Sequence, residues 1–170
     1  MPVTRHFSQT YSQARQKFLQ ACAQAQVPVQ SHRHPLPGHD GEELAMDVAR
    51  MGAADARSLL ILSSACHGVE GYCGSGIQVG LLHDAQWMKA ANEAGEAGVA
   101  VLWIHALNPH GFSWWRRTTH ENVDLNRNFV DFSQPLARNT DYDTIAAAVV
   151  PDDWPPPAQA EATLAAYQAA

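Results

Sequence analysis

His67 and Glu70 stand three positions apart in the run SACHGVEGYCGSG, Ser64 to Gly76, among small residues. Small residues serve where a backbone must turn sharply or lie close to something. An imidazole nitrogen and a carboxylate oxygen are both good zinc donors, and hydrolytic zinc sites take such mixed ligands with one position left for water. The same pair also fits a histidine bonded to backbone and a glutamate at a helix start, where negative charge is favoured. Spacing alone leaves both readings open.

A second stretch, NPHGFSWWRRTTHENVDLNRNF from Asn108 to Phe129, gathers side chains suited to binding anions. Arg116, Arg117 and Arg127 can each present a planar fork to a carboxylate or an oxyanion. Asn126 adds a neutral amide beside Arg127. Asp124, between Val123 and Leu125, suits the orienting of a metal-bound histidine from behind. A salt-bridged surface loop with its tryptophans in the core is the alternative.

Other features carry less. Cys66 beside His67 suggests a base-activated thiol, but adjacent residues rarely point the right way, and a small buried residue at a strand end fits better. GYCGSG lacks the lysine of a phosphate-cradling loop. SHRH and His39 form a local histidine cluster, best read as a solvated strand edge.

The elements that must position these residues follow from periodicity. Tyr11 to Gln26 reads as a helix with Phe18, Leu19 and Cys22 on one face. VPVQSHRHPL is extended, LPGHDGEE a turn, and ELAMDVARMG alternates like a half-buried strand. SLLILSSA, Ser58 to Ala65, is a continuous apolar run that predicts a strand buried on both faces. Gly74 to about Ala94 predicts a helix, and GVAVLWIHAL a second buried strand closed by the turn NPHGF. Strand, helix, strand with both strands apolar predicts an α/β fold with a mixed, mostly parallel central sheet and helices on both faces. Ligands bind beyond the carboxyl ends of such strands, so the His67 and Asn108 loops are expected to share one rim. VVPDDWPPPAQ predicts a break, and AEATLAAYQAA an amphipathic helix.

Bulk properties narrow the class. At 170 residues, with 46% hydrophobic content, the chain fits a single domain over 1–170 that can bury a core. A net charge of -6 argues against nucleic-acid and anionic-membrane partners. No apolar run is long enough to cross a bilayer, and the start lacks the apolar core of a secretory signal. Cys22, Cys66 and Cys73 are an odd set without paired spacing, which predicts a reduced, cytoplasmic protein.

HGVEG, NPHGF, WRR and DLNRNF, in that order over roughly Leu59 to Phe129, together resemble the zinc carboxypeptidase superfamily. That superfamily includes the succinylglutamate desuccinylase and aspartoacylase-like deacylases, and the match is best to a bacterial branch of unknown function. The resemblance implies Zn²⁺ as cofactor, with His67 and Glu70 as its first two ligands. It implies that Arg116 polarises the scissile carbonyl, with Arg117 as a possible substitute. It further implies that Asn126 and Arg127 clamp the substrate's terminal carboxylate and that Asp124 stands behind His67. The expected activity is a metallopeptidase or deacylase hydrolysis of an amide near a free carboxylate, on a peptide or small-molecule substrate.

The superfamily also needs a third zinc ligand, a histidine, and a glutamate general base after the NRNF segment. Here His120 is the last histidine, and Glu161 is the only glutamate beyond Phe129. The first expectation is therefore that these residues form the N-terminal part of a longer catalytic domain. A second is that His105, His110 or His120 completes a rearranged site. A third is a non-catalytic α/β module that binds a carboxylate-bearing small ligand. Pairing with another copy, as a homo-oligomer, is a further expectation.

Overall fold

The computed structural model describes residues 2–136, 138–142, 145–146 and 165. The chain divides into two compact units, Met1–Phe129 and Val130–Ala170. In the second, Ser133 donates through its backbone N–H and its hydroxyl to Asp131 Oδ1, at 3.0 and 2.7 Å, closing a local turn. The expected break and the terminal helix fall almost wholly outside the described residues.

The first unit opens with a short 3₁₀ turn, Val3–His6, and then helix α1, Tyr11–Gln24. Thr10 caps α1 by accepting from the Gln13 N–H, which satisfies one otherwise orphaned helix donor. Strands β1, Val29–Arg33, and β2, Ala45–Met51, follow. Next come strand β3, Ser58–Ser63, helices α2, Gly71–His83, and α3, Ala85–Glu96, and strand β4, Val99–His105. A single-turn helix α4, Pro109–Ser113, forms where a turn is expected, with Asn108 accepting from the Gly111 N–H.

Where one long helix is expected around Gly74 to Ala94, the structure has two. Asp84 divides them, its carboxylate accepting from the Trp87 N–H and so starting α3.

The sheet order is β1-β2-β4-β3. Only β3 and β4 run parallel, joined through α2 and α3 as a parallel pair requires. β1 with β2, and β2 with β4, are antiparallel. The sheet is mixed and mostly antiparallel, which corrects the mostly parallel expectation. The apolar run of β4 predicts burial but not the direction of its neighbour, and β2 arrives beside it antiparallel from a hairpin with β1.

β3 also departs from expectation. It lies at the edge of this sheet, and Leu59, Leu60 and Ile61 are 48%, 46% and 54% exposed. The run is apolar without being buried. The helices of the first unit gather on one side of the sheet. Phe18, Ala21 and Cys22 of α1, Val79 and Leu82 of α2 and Ala91 of α3 pack into one cluster with Ala49, Val101 and Trp103 of the sheet. Ala49 pairs with Trp103 and Met51 with Val101, so these sheet residues share one face. Among the described residues, α1, α2 and α3 all lie on that face.

At its end the same face turns polar. Asp47 and His105 pair across β2 and β4, both fully buried. Arg15 of α1 donates to both oxygens of Asp47, at 2.8 and 3.3 Å, which compensates the buried charge. His105 stacks on Phe18 with ring centroids 4.5 Å apart, and shares a 2.9 Å hydrogen bond with the Ser75 hydroxyl. Burial pushes His105 down to about 4.

Among the described residues, no helix is long and apolar enough to cross a membrane.

Candidate functional site

The carboxyl ends of β3 and β4 adjoin, so the loops that leave them form one rim. Leu107 and Asn108 donate their N–H groups to the carbonyls of Ser64 and Ala65, both at 2.9 Å. The Asn108 side chain reaches the Cys66 carbonyl at 3.4 Å while capping α4, and so ties the two loops together. Gln78, from α2, donates to the carbonyls of Leu62 and Ile104, at 2.7 and 3.2 Å, and its Oε1 accepts from the Ser64 hydroxyl. The sequence reading placed the Asn108 loop on this rim without the side-chain bonds that tie it to Cys66 and α4. Gln78 escaped it, and nothing local marks that residue.

Strain gathers at this rim. Ala65, just past β3, and Ala106, just past β4, have φ of 55° and 58°. Trp115 has φ 52° and Asn122 φ 63°. Such left-handed residues cost on the order of 1 kcal/mol each, and their clustering is a mark of functional loops.

His67 sits in a cleft of about 230 Å³ with Glu70, Cys66 and Gly74. Its Nε2 is 3.0 Å from Asp124 Oδ1, and its Nδ1 is 3.5 Å from Glu70 Oε1. In the tautomer that donates Nε2–H to Asp124, the Nδ1 lone pair faces Glu70. Glu70 occupies the N-cap position of α2 but makes no side-chain capping bond, so its carboxylate is not spent on the helix. Glu70 stands at a helix start, where the plain reading puts it, while the His67 ring meets side chains, those of Asp124 and Glu70.

Asp124 is the hub of the second loop. Besides His67 it accepts from Arg117 Nε at 2.7 Å and from the Asn126 N–H at 3.0 Å. The hydrogen bonds from His67 and Arg117 hold its carboxyl well below the usual carboxylate range. Arg116 turns elsewhere and donates to Asn122 Oδ1 at 3.3 Å. The side chains of Asn126 and Arg127 are exposed. The structure thus brings His67, Glu70, Asp124 and Arg117 into contact, and leaves Arg116, Asn126 and Arg127 at the surface of the same loop.

Backbone contacts lock the two loops. The Gly68 N–H donates to the Arg116 carbonyl at 3.0 Å, and the Arg116 N–H to the Gly111 carbonyl at 2.8 Å. A side chain at position 68 would run into the Gly111 carbonyl and come within 2.6 Å of the Arg116 carbonyl, which explains the glycine. Burial, followed by the Asp124 charge, pushes the Cys66 thiol up, which leaves it a poor nucleophile.

Two ligands of tetrahedral zinc at ~2.0–2.2 Å stand about 3.4 Å apart. The 3.5 Å between His67 Nδ1 and Glu70 Oε1 matches that separation. Among the described residues no group of three His, Cys, Asp or Glu side chains converges on one metal position. His105 is buried against Ser75, and His110 and His120 cluster instead with His34, at ring separations of 5.7 and 4.9 Å from it. The donors fit two positions of such a site.

Residues 7–170 match the family described as protein of unknown function DUF2817, and the chain belongs to that family. No curated protein matches it. Among solved structures, a glutaminyl cyclase from Porphyromonas gingivalis aligns with TM-score 0.32 at 14% identity, over 58% of this chain and 45% of that one. A Zn-dependent exopeptidase from Parabacteroides distasonis aligns with TM-score 0.35 at 13% identity, over 84% of this chain and 49% of that one. The chain spans about half the length of these solved proteins.

Proposed function

We propose that this member of the DUF2817 family carries part of the site of a zinc-dependent hydrolase that cleaves an amide bond near a free carboxylate. The observation that carries the reading is His67 itself. One ring nitrogen is fixed by Asp124, and the other faces the Glu70 carboxylate at 3.5 Å, the separation of two donors on one ion.

His67 and Glu70 would hold the metal. When bound, zinc lowers the pKa of a coordinated water and polarises a carbonyl. Asp124 keeps His67 in the tautomer whose Nδ1 is free, and Arg117 keeps Asp124 charged. Arg116, exposed on the same loop, is available to stabilise charge developing on the substrate's carbonyl oxygen, an effect worth several kcal/mol in comparable sites. Asn126 and Arg127 present an amide and a fork to the substrate's carboxylate, holding it in register.

The test is zinc titration of the chain by calorimetry, beside His67→Ala and Glu70→Gln. The reading expects one zinc per chain, lost in His67→Ala and weakened in Glu70→Gln. Zinc uptake that is identical in all three proteins sinks it. If instead a dicarboxylate such as succinate binds through Arg127 with no change in chelator, the chain is the metal-free carboxylate-binding module.

A further inference from the structure

A second cleft lies toward the opposite end of α2 from Glu70, its far residue His83 about 20 Å away by the rise of a 13-residue helix. It measures about 300 Å³ and is lined by Arg5, His6, Lys17, Gln20, Gln24 and His83 around Val79. Lys17, Gln20 and Gln24 fall at helical spacing on one face of α1, and Val79 and His83 on one face of α2. Arg5 and His6 come from the 3₁₀ turn laid over both helices.

The site is built rather than incidental. A side chain at Gly76 would run into the Phe7 ring, so the glycine lets the opening segment lie against α2. The Lys17 ammonium donates to the Arg5 carbonyl at 2.9 Å and to the Phe7 carbonyl, which pins the turn over the cleft. His6 and His83 stack there, ring centroids 5.4 Å apart and planes 26° from parallel.

Its charge is one-sided. Two permanent cations and two imidazoles line the cleft and, among the described residues, no carboxylate does. Among the described residues neither Arg5 nor Lys17 makes an ion pair. The Arg5 fork is engaged only through Nε, 3.4 Å from His6 Nε2. The chain as a whole carries a net charge of -6, so this is a local concentration and not a generally basic surface. Burial, and then Arg5, His83 and Lys17, push His6 below its ordinary value, as expected of cations crowded without a counter-charge.

We infer that the cleft binds a small phosphate-bearing anion. A guanidinium fork from the 3₁₀ turn, with an ammonium and two neutral amides from α1, lines the cleft and suits a compact oxyanion with several acceptor oxygens. Two fixed positive charges match the charge of a phosphate monoester, and the volume is that of a small-ligand pocket. This reading is independent of the zinc proposal and stands if that one fails.

The test is titration of the full chain with inorganic phosphate at constant ionic strength, following the ring C–H resonances of its histidines by NMR. His6 and His83 are expected to shift saturably with a midpoint near or below about 1 mM, while the buried His105 stays still. Arg5→Ala is expected to raise the midpoint tenfold or more. Gln24→Ala, which keeps the charge, raises it severalfold, and the distant Arg57→Ala leaves it unchanged. Shifts that do not saturate, that persist in Arg5→Ala, or that chloride reproduces at matched ionic strength overturn the inference. Tighter binding of succinate than of phosphate overturns the ligand class.

Discussion

The imidazole of His67 is held by Asp124, Nε2 to Oδ1 at 3.0 Å, through the ring nitrogen that does not face Glu70. That division of labour makes Asp124 a positioning residue. Asp124→Asn keeps an acceptor for His67 but loses the charge, and carboxylates behind metal-bound histidines are commonly worth ten- to a hundredfold in affinity. We expect zinc affinity to fall by about that factor with the thermal midpoint nearly unchanged, as read by competition with a chromogenic chelator. Equal affinity in the variant removes Asp124 from the site.

His105 predicts a pH dependence. Buried in its neutral form, it holds about 4 in the folded protein against 6.5 ordinarily. Between those values the unfolded chain binds more protons than the native one, so stability falls as pH drops from 6.5 toward 4. The loss reaches at most about 3 kcal/mol from this group. Asp47 opposes the shift and Arg15 reinforces it, and both stay close to the ring. Urea denaturation across that range should show the slope, and His105→Gln should flatten it.

Arg15 and Asp47 make a pair in which one partner is fully buried. Arg15→Met leaves Asp47 without its counter-charge, which costs about 3–5 kcal/mol when a buried partner is stranded. The double variant with Asp47→Asn should recover part of that. A cost below about 1 kcal/mol for the single change means that Asp47 finds another partner.

Two glycines should respond in opposite directions. Gly95→Ala, inside α3 with nothing within 4 Å of the new methyl, should stabilise the chain by about 1 kcal/mol. Gly68→Ala forces a methyl against two backbone carbonyls that cannot rotate away, and should cost on the order of 3 kcal/mol. The thermal midpoints decide, and zinc affinity should fall along with stability in the second variant alone.

How far the sequence anticipated these features differed from element to element. The apolar face of α1, with Phe18 and Cys22, and the alternation in β2 were readable because each reports one element's own burial pattern. β3 was misplaced because an apolar run encodes preference, while edge or centre depends on which strands arrive beside it. Asp84 was overlooked because a single capping residue interrupts the helical period without erasing it. At the site, the likeness in motifs singled out His67, Glu70 and Asp124, but the bond from Arg117 to Asp124 needed coordinates. The cleft over Val79 joins Arg5 to His83, a separation no local pattern spans.

The edge strand has one more consequence, for handling the protein in solution. Ser58–Ser63 is uncharged, holds neither proline nor glycine, and pairs only with β4 among the described residues. A six-residue run of that composition is the kind from which steric zippers assemble. Concentrated or gently heated samples should therefore nucleate fibrils there first, and a lysine at Leu60 or Ile61 is the change that should keep the protein in solution.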